Sequence, residues 1–199
     1  MKIAYLISLL FILSLIACTD SSNRSVDMTK IDALFEAGDS ISPTSIIHGN
    51  IHFSIDLFKK IQKPDGNLIY SPYSISTAFG MLYAGAKEET ADQIQQILHF
   101  PSPNTKSFHQ NFTLVNDRIL AASKDSITLH SANKIWFKNG FTTKEGFAEI
   151  TKAFYHSDLG YYEDASNGSK KVNEWVSLQT KEKIQDIVKP DDLIASKLV

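Results

Sequence analysis

Apolar residues recur at helical spacing along most of this chain and predict six helices. The first stripe runs over residues 47–61 and stops at Pro64-Asp65-Gly66, which has the composition of a turn. Before the second helix, Ser71 supplies an N-cap and Pro72 stands at the first helical position. We expect its apolar stripe to be buried; it comprises Ile75, Ala78, Phe79, Leu82, Tyr83 and Ala86. The other helices are predicted at residues 90–98, 108–119, 147–154 and 167–181, the last capped by Asn167-Gly168-Ser169.

Three shorter stretches have the pattern of strands. Residues 67–70 are apolar, residues 126–138 combine alternation with a β-prone Ile-Trp-Phe run, and residues 159–162 follow the fifth helix. Asn139-Gly140 closes the second stretch as a turn. Helices and strands are mixed along the chain, without an internal repeat or a second linker. We therefore predict an α+β fold in one domain over residues 45–199.

The N-terminus has the pattern of an export signal. Lys2 precedes an uncharged apolar run over residues 3–17, which is shorter than the roughly 20 residues that a membrane-spanning helix needs. Because polar residues follow at once, a signal peptide at residues 1–17 is favoured over a short anchor or a buried helix. Residues 18–44 are mostly polar and are interrupted by glycine, serine and proline, so we predict that they form a tether.

Cys18 is the single cysteine of the chain, so no internal disulfide can form. Residues 15–18, Leu-Ile-Ala-Cys, resemble a bacterial lipobox, in which the cysteine thiol is lipidated and becomes the mature N-terminus. This resemblance implies lipid attachment at Cys18 and an exported lipoprotein anchored to a membrane of the cell envelope, such as the outer membrane. An ordinary signal peptide with an incidental cysteine would instead give an extracellular protein.

The composition is that of an ordinary folded protein. Hydrophobic residues make up 43% of the 199 positions, and the formal net charge is -2. Binding to nucleic-acid phosphates would require clustered lysine and arginine, and the chain contains no basic run. We therefore predict no nucleic-acid partner.

Residues 67–100 resemble the second and third helices of the serpin family, and further motifs follow in the family's order. The segment contains Ser71-Pro72-Tyr73-Ser74-Ile75 and Tyr83-Ala84-Gly85-Ala86. Ala132-Asn133-Lys134-Ile135-Trp136 is similar to the edge-proximal strand of the family's sheet A. Val172-Asn173-Glu174-Trp175-Val176 and Lys183-Ile184 are similar to its sixth helix and the loop after it. The resemblance extends over residues 45–199 and implies the N-terminal portion of the serpin fold, with helices A to F and the first strands of sheet A.

Membership of this family implies an inhibitor of serine or cysteine proteases rather than an enzyme, with no cofactor. In the family, a reactive-centre loop near the C-terminus is cut, inserts into sheet A as a new strand and carries the acyl-enzyme with it. The resemblance places Ser71 and Ser74 beneath sheet A as a gate, and residues 167–181 across the sheet. The chain ends where the central strand of sheet A would begin, so we expect no reactive centre in it. Our hypothesis is that it is a fragment without inhibitory activity of its own.

Three other interpretations are open. A non-inhibitory serpin-like module of the cell envelope would share this fold, and the hinge sequence before the reactive loop would distinguish it. Ser131-Ala132-Asn133-Lys134 fits the S-x-x-K motif of acyl-serine enzymes, but that motif needs a helix start, and S-D-N and K-T-G are absent. His48 and His52 are four residues apart on the first helix, yet the sequence places no third metal ligand near them. We predict exposed histidines, no metal site and no catalytic residue.

Overall fold

A computed structural model describes residues 29, 41–63, 65–101, 103–122, 129–144 and 146–194. The predicted signal peptide, Cys18 and nearly all of the predicted tether lie outside these residues. In chain order the elements are α1 (Pro43–Ile61), α2 (Pro72–Gly85), α3 (Glu88–Leu98), α4 (Lys106–Ala121), β1 (Asn133–Lys138), α5 (Phe147–Tyr155), β2 (Ser157–Tyr162), α6 (Ala165–Gln179) and α7 (Pro190–Leu193). The six predicted helices are confirmed as α1 to α6. Within the described ranges, no helix is both long and apolar enough to cross a bilayer.

Side-chain caps determine where several of these helices begin. The hydroxyl oxygens of Ser42, Ser71 and Thr105 each accept a hydrogen bond from the backbone N–H three residues later. The predicted cap of α6 is wrong, because the carboxylate of Asp164 accepts from the Asn167 N–H at 2.8 Å and starts the helix three residues earlier. Gly168 and Ser169, which were expected in the cap, are buried within the helix.

The strands form one parallel pair in which all six residues of β1 face residues of β2. β1 is shorter than the predicted strand at residues 126–138, because β2 offers backbone partners only from residue 157 onward. The predicted strand at residues 67–70 is wrong, and Ile69 within it is 96% exposed. A strand exists only by pairing, and among the described residues no strand other than β1 and β2 is available to that segment.

The buried face of α2 matches the predicted apolar stripe only in part: Tyr83 is buried, and Ile75 and Ala86 pack against the core. Ala78 and Phe79 are exposed, whereas the hydroxyl residues Ser76 and Thr77 are buried. Each hydroxyl can be buried because it has an acceptor: Ser76 donates to Asn50 Oδ1 at 2.8 Å, and Thr77 donates to a carbonyl oxygen of the preceding turn at 2.9 Å. One hydrogen bond to α1 and one within α2 therefore allow hydroxyl side chains of α2 to be buried.

The main core lies among α1 to α5 and one face of β1. At its centre lie four aromatic rings, and each ring centroid is 4.8 to 5.7 Å from those of at least two others; the rings belong to Tyr83, Phe100, Phe108 and Phe112. α1 contributes the buried residues Ile46 and Phe53 to this core. Four other apolar side chains of α1 are between 39% and 47% exposed; they are Ile47, Ile51, Ile55 and Phe58. The described residues thus cover only one of the two apolar faces of α1.

Candidate functional site: the β1–β2 sheet and the helix across it

β1 buries both of its faces, one in the main core and one beneath α6. Ile135 and Phe137 belong to the main core, and Trp136 between them belongs to a second cluster with Tyr162 of β2 and Val172 of α6. This alternation follows from the two-residue period of a strand. Among the described residues no third strand pairs with β1 or β2, so one edge of each strand is open.

The contact between α6 and the sheet depends on the close approach of Trp136 to Gly160. These residues are opposite each other in the parallel register. A side chain at position 160 would place its Cβ 2.7 Å from Cζ3 of the Trp136 indole, so glycine leaves the room that the ring needs. The indole N–H is buried without a hydrogen-bond partner in the described part of the chain. The ring therefore contributes apolar contact and no hydrogen bond beneath α6.

Hydrogen bonds attach α6 mainly to the segment that follows it. The Asn173 side chain donates to the Val188 carbonyl oxygen at 2.8 Å and accepts from the N–H groups of Ile187 and Val188 at 3.0 Å. Toward the sheet, Lys171 Nζ donates to the Tyr161 carbonyl oxygen at 3.0 Å. α6 and residues 187–188 thus form one unit that rests on the sheet largely through apolar contacts. The sequence placed Asn173 in a motif without showing this role; an asparagine in the interior of a predicted helix is the signal that could have found it.

Ser71 and Ser74 lie at the first turn of α2. Ser71 Oγ accepts from the Ser74 N–H at 3.2 Å, and the two hydroxyl oxygens are 2.8 Å apart. The N-cap predicted at Ser71 is confirmed. Both side chains are exposed. Within the described residues, the hydroxyl of each serine forms hydrogen bonds only with the other serine. The pair is therefore open to a further hydrogen-bond partner, although the gate itself remains a prediction.

A buried polar network holds the start of β1 against the helices. His109 of α4 is fully buried, with Nδ1 2.7 Å from the Tyr155 hydroxyl and Nε2 2.6 Å from Asn104 Oδ1. Burial lowers the pKa of His109 to about 3 and raises the pKa of the Tyr155 hydroxyl, so both groups are neutral near pH 7. The Tyr155 carbonyl oxygen accepts from the Asn133 side chain at 2.9 Å, which connects β1 to α5.

The remaining sequence candidates are not part of this network. Ser131 is exposed and precedes β1, while Lys134 lies within the strand and its Nζ is 4.6 Å from the centre of a Trp136 ring. The S-x-x-K motif thus lies at a strand start instead of the helix start that its chemistry needs. His48 and His52 on α1 are both exposed, as predicted. Among the described residues no preformed cluster of three or more metal-ligating side chains occurs.

Comparison with known proteins relates this architecture to one family. The sequence profile of the family described as serpin (serine protease inhibitor) matches residues 48–199. The chain is 39% identical over 142 residues to a leukocyte elastase inhibitor of Xenopus tropicalis. The aligned residues cover 69% of this chain and 37% of that protein. It is 30% identical over 208 residues to an uncharacterized serpin-like protein of Methanosarcina acetivorans, covering 98% of this chain and 47% of that protein.

Solved structures give the same result for the fold. A cleaved serpin, Serpin 42Da, superposes with a TM-score of 0.66 at 30% identity, covering 79% of this chain and 43% of that one. Serpin-12 of Manduca sexta superposes with a TM-score of 0.64 at 25% identity and covers 75% of this chain. The chain spans less than half the length of these relatives, and what it spans is a portion of their domain. Members of the family are in general protease inhibitors and not enzymes. This chain belongs to the serpin family.

Proposed function

We propose that this chain is the N-terminal part of a serpin-type inhibitor of serine or cysteine proteases. The observation that carries the proposal is the sheet of β1 and β2 with α6 resting across it through mainly apolar contacts. Inhibition by loop insertion requires a sheet that can accept a further strand, and an element that covers the sheet has to yield during insertion. The apolar contact of α6 with Trp136 lets the helix shift without breaking many hydrogen bonds.

Ser71 and Ser74 are proposed to act as the gate of this sheet. Small hydroxyl groups can exchange one hydrogen-bond partner for another by rotation, since each is both donor and acceptor. The hydrogen bond between the two hydroxyls, at 2.8 Å, keeps them paired while no other partner is present. In the complete protein, the same hydroxyls would form hydrogen bonds beneath the sheet both before and after insertion of the loop.

The chain alone is proposed to lack inhibitory activity, because the residues that a protease would cut lie in the portion of the family's domain that this chain does not span. We expect no SDS-stable complex when the chain is incubated with an elastase-type serine protease or a papain-type cysteine protease. The nucleotide sequence after codon 199 is read in all frames for the missing part of the domain. A protein extended by that part is expected to form such a complex.

Two results would contradict this proposal. A covalent complex with residues 45–199 alone would show that the chain carries its own reactive centre. Failure of the extended protein to form a complex, together with cleavage of its loop as an ordinary substrate, would favour the non-inhibitory serpin-like module. Proteases inactivated at their nucleophile serve as the control, because trapping requires the acyl-enzyme.

We also propose that Cys18 is lipidated and anchors the protein in the cell envelope. The support is the Leu-Ile-Ala-Cys sequence that ends the apolar run. Expressed in a bacterial host, the full chain is expected in the membrane fraction with the mass of an acylated N-terminal cysteine. The Cys18→Ser variant is expected to lose that mass and leave the membrane after washing. A wild-type chain with an unmodified thiol would refute this proposal.

A further inference from the structure

Asn-Gly pairs occur twice in this chain, at residues 139–140 and at residues 167–168. An asparagine before a glycine can lose its side-chain amide, because the glycine nitrogen can attack the amide carbon and no Cβ on the glycine shields it. The reaction needs a backbone that brings these two atoms together and a glycine N–H that is not held elsewhere. The fold places the two pairs in different environments.

The pair at residues 139–140 lies in the exposed turn that follows β1. The Phe141 N–H donates to the Lys138 carbonyl oxygen at 3.1 Å, which closes the turn around the pair. Gly140 has φ 87°, and no atom lies within 4 Å of the place where a Cβ would be. Among the described residues, neither the Gly140 N–H nor the Asn139 side chain has a hydrogen-bond partner. Both reacting groups are therefore accessible to each other and to water.

The pair at residues 167–168 is held inside α6. The Gly168 N–H donates to the Asp164 carbonyl oxygen at 2.8 Å. The Asn167 side-chain oxygen accepts a hydrogen bond from the Glu163 N–H at 3.2 Å. Gly168 is also buried, so attack by its nitrogen would require the first turn of α6 to open. The same two-residue sequence is therefore protected here by the helix.

We propose that Asn139 is a site of spontaneous deamidation in the folded chain and that Asn167 is not. The Gly140 nitrogen gives up its proton and bonds to Cγ of Asn139, the Cγ–Nδ2 bond breaks, and Nδ2 leaves as ammonia with that proton. Water then opens the succinimide ring that has formed. Hydrolysis at one carbonyl carbon gives aspartate, and hydrolysis at the other gives isoaspartate, in which the main chain runs through Cγ. The site is independent of the inhibitory function proposed above.

Isoaspartate at position 139 changes the end of β1. It lengthens the main chain by one atom before Gly140, inside the turn that the Phe141 N–H and the Lys138 carbonyl oxygen close. It therefore also displaces Phe141, whose ring is stacked on that of Phe137 with the centroids 5.0 Å apart. Because Phe137 belongs to the main core, we expect the isoaspartate form to have a lower thermal midpoint than the unmodified chain.

Peptide mapping by mass spectrometry tests this proposal on the full chain, incubated at mildly alkaline pH both folded and in guanidinium chloride. In the folded chain, we expect Asn139 to lose its amide at least about tenfold faster than Asn167, because the helix must open before Asn167 can react. In the denatured chain both pairs are released from structure, so their rates should become similar. The rate at Asn139 should also rise with pH, since the attacking nitrogen reacts without its proton.

Asn139→Gln is the test variant, because its amide carbon is one methylene farther from the Gly140 nitrogen and the ring closes more slowly. We expect this variant to keep its amide and its thermal midpoint throughout the incubation. Asn167→Gln is the matched control and should leave the loss of amide at Asn139 unchanged. Equal rates at the two pairs in the folded chain would overturn the proposal. Protection of Asn139 by folding to the same extent as Asn167, measured against the denatured chain, would overturn it as well.

Discussion

Replacing Phe108 by alanine is expected to lower the free energy of unfolding by about 3–5 kcal/mol. Phe108 is fully buried on α4, and its ring centroid lies 4.8 Å from that of Phe100, 5.2 Å from Phe112 and 5.3 Å from Tyr83. The change removes the ring from the centre of this aromatic cluster and leaves a cavity that its rigid neighbours can fill only in part. Urea unfolding followed by circular dichroism measures the effect.

Phe58→Ala is the matched control, because it makes the same chemical change on α1 at a side chain that is 45% exposed. We expect it to change the stability by less than about 1 kcal/mol. Equal losses in the two variants would contradict the placement of the core around Phe108. A loss confined to Phe108→Ala, with the denaturant slope unchanged, would support it.

Acidification is expected to destabilise the chain through His109. The pKa of this imidazole falls from 6.5 to about 3 on burial, so between these values the unfolded chain binds a proton that the folded chain does not. Stability from this group is therefore complete above pH 6.5 and is lost as the pH falls toward 3. Well inside that interval each pH unit corresponds to about 1.4 kcal/mol, and because the unfolded imidazole is half protonated at pH 6.5, the loss between pH 6.5 and 4.5 is about 2 kcal/mol.

Urea unfolding at pH 7, 5.5 and 4.5 measures this slope. His109→Gln is expected to be less stable at pH 7, because the contacts with Tyr155 and Asn104 change, but to lose less stability between pH 6.5 and 4.5. His156→Gln is the control, since His156 is exposed, and should keep the wild-type slope. If wild type and His109→Gln show the same acid slope, the proton uptake belongs to other groups.

The helices of this protein could be predicted from the sequence because their determinants are local. Ser71 caps α2 through the N–H of Ser74, three residues away, and apolar spacing within a few turns predicted α1 to α6. The serpin resemblance rested on contiguous motifs in their order, and the family match over residues 48–199 agrees with it. Local patterns do not always give the right helix start, however, because Asp164 caps α6 in place of the predicted Asn167.

The sequence by itself thus determined the family, the α+β class and the order of the elements, and only the tertiary structure decided which faces are buried and which residues meet. His99 reaches Asp56 across 43 residues, and His109 reaches Tyr155 across 46. No periodicity within one helix encodes such contacts, because they depend on how separate elements pack. The same reason explains the segment at residues 67–70, whose apolar pattern favoured a strand: pairing needs a neighbouring strand, and the described residues provide none for it.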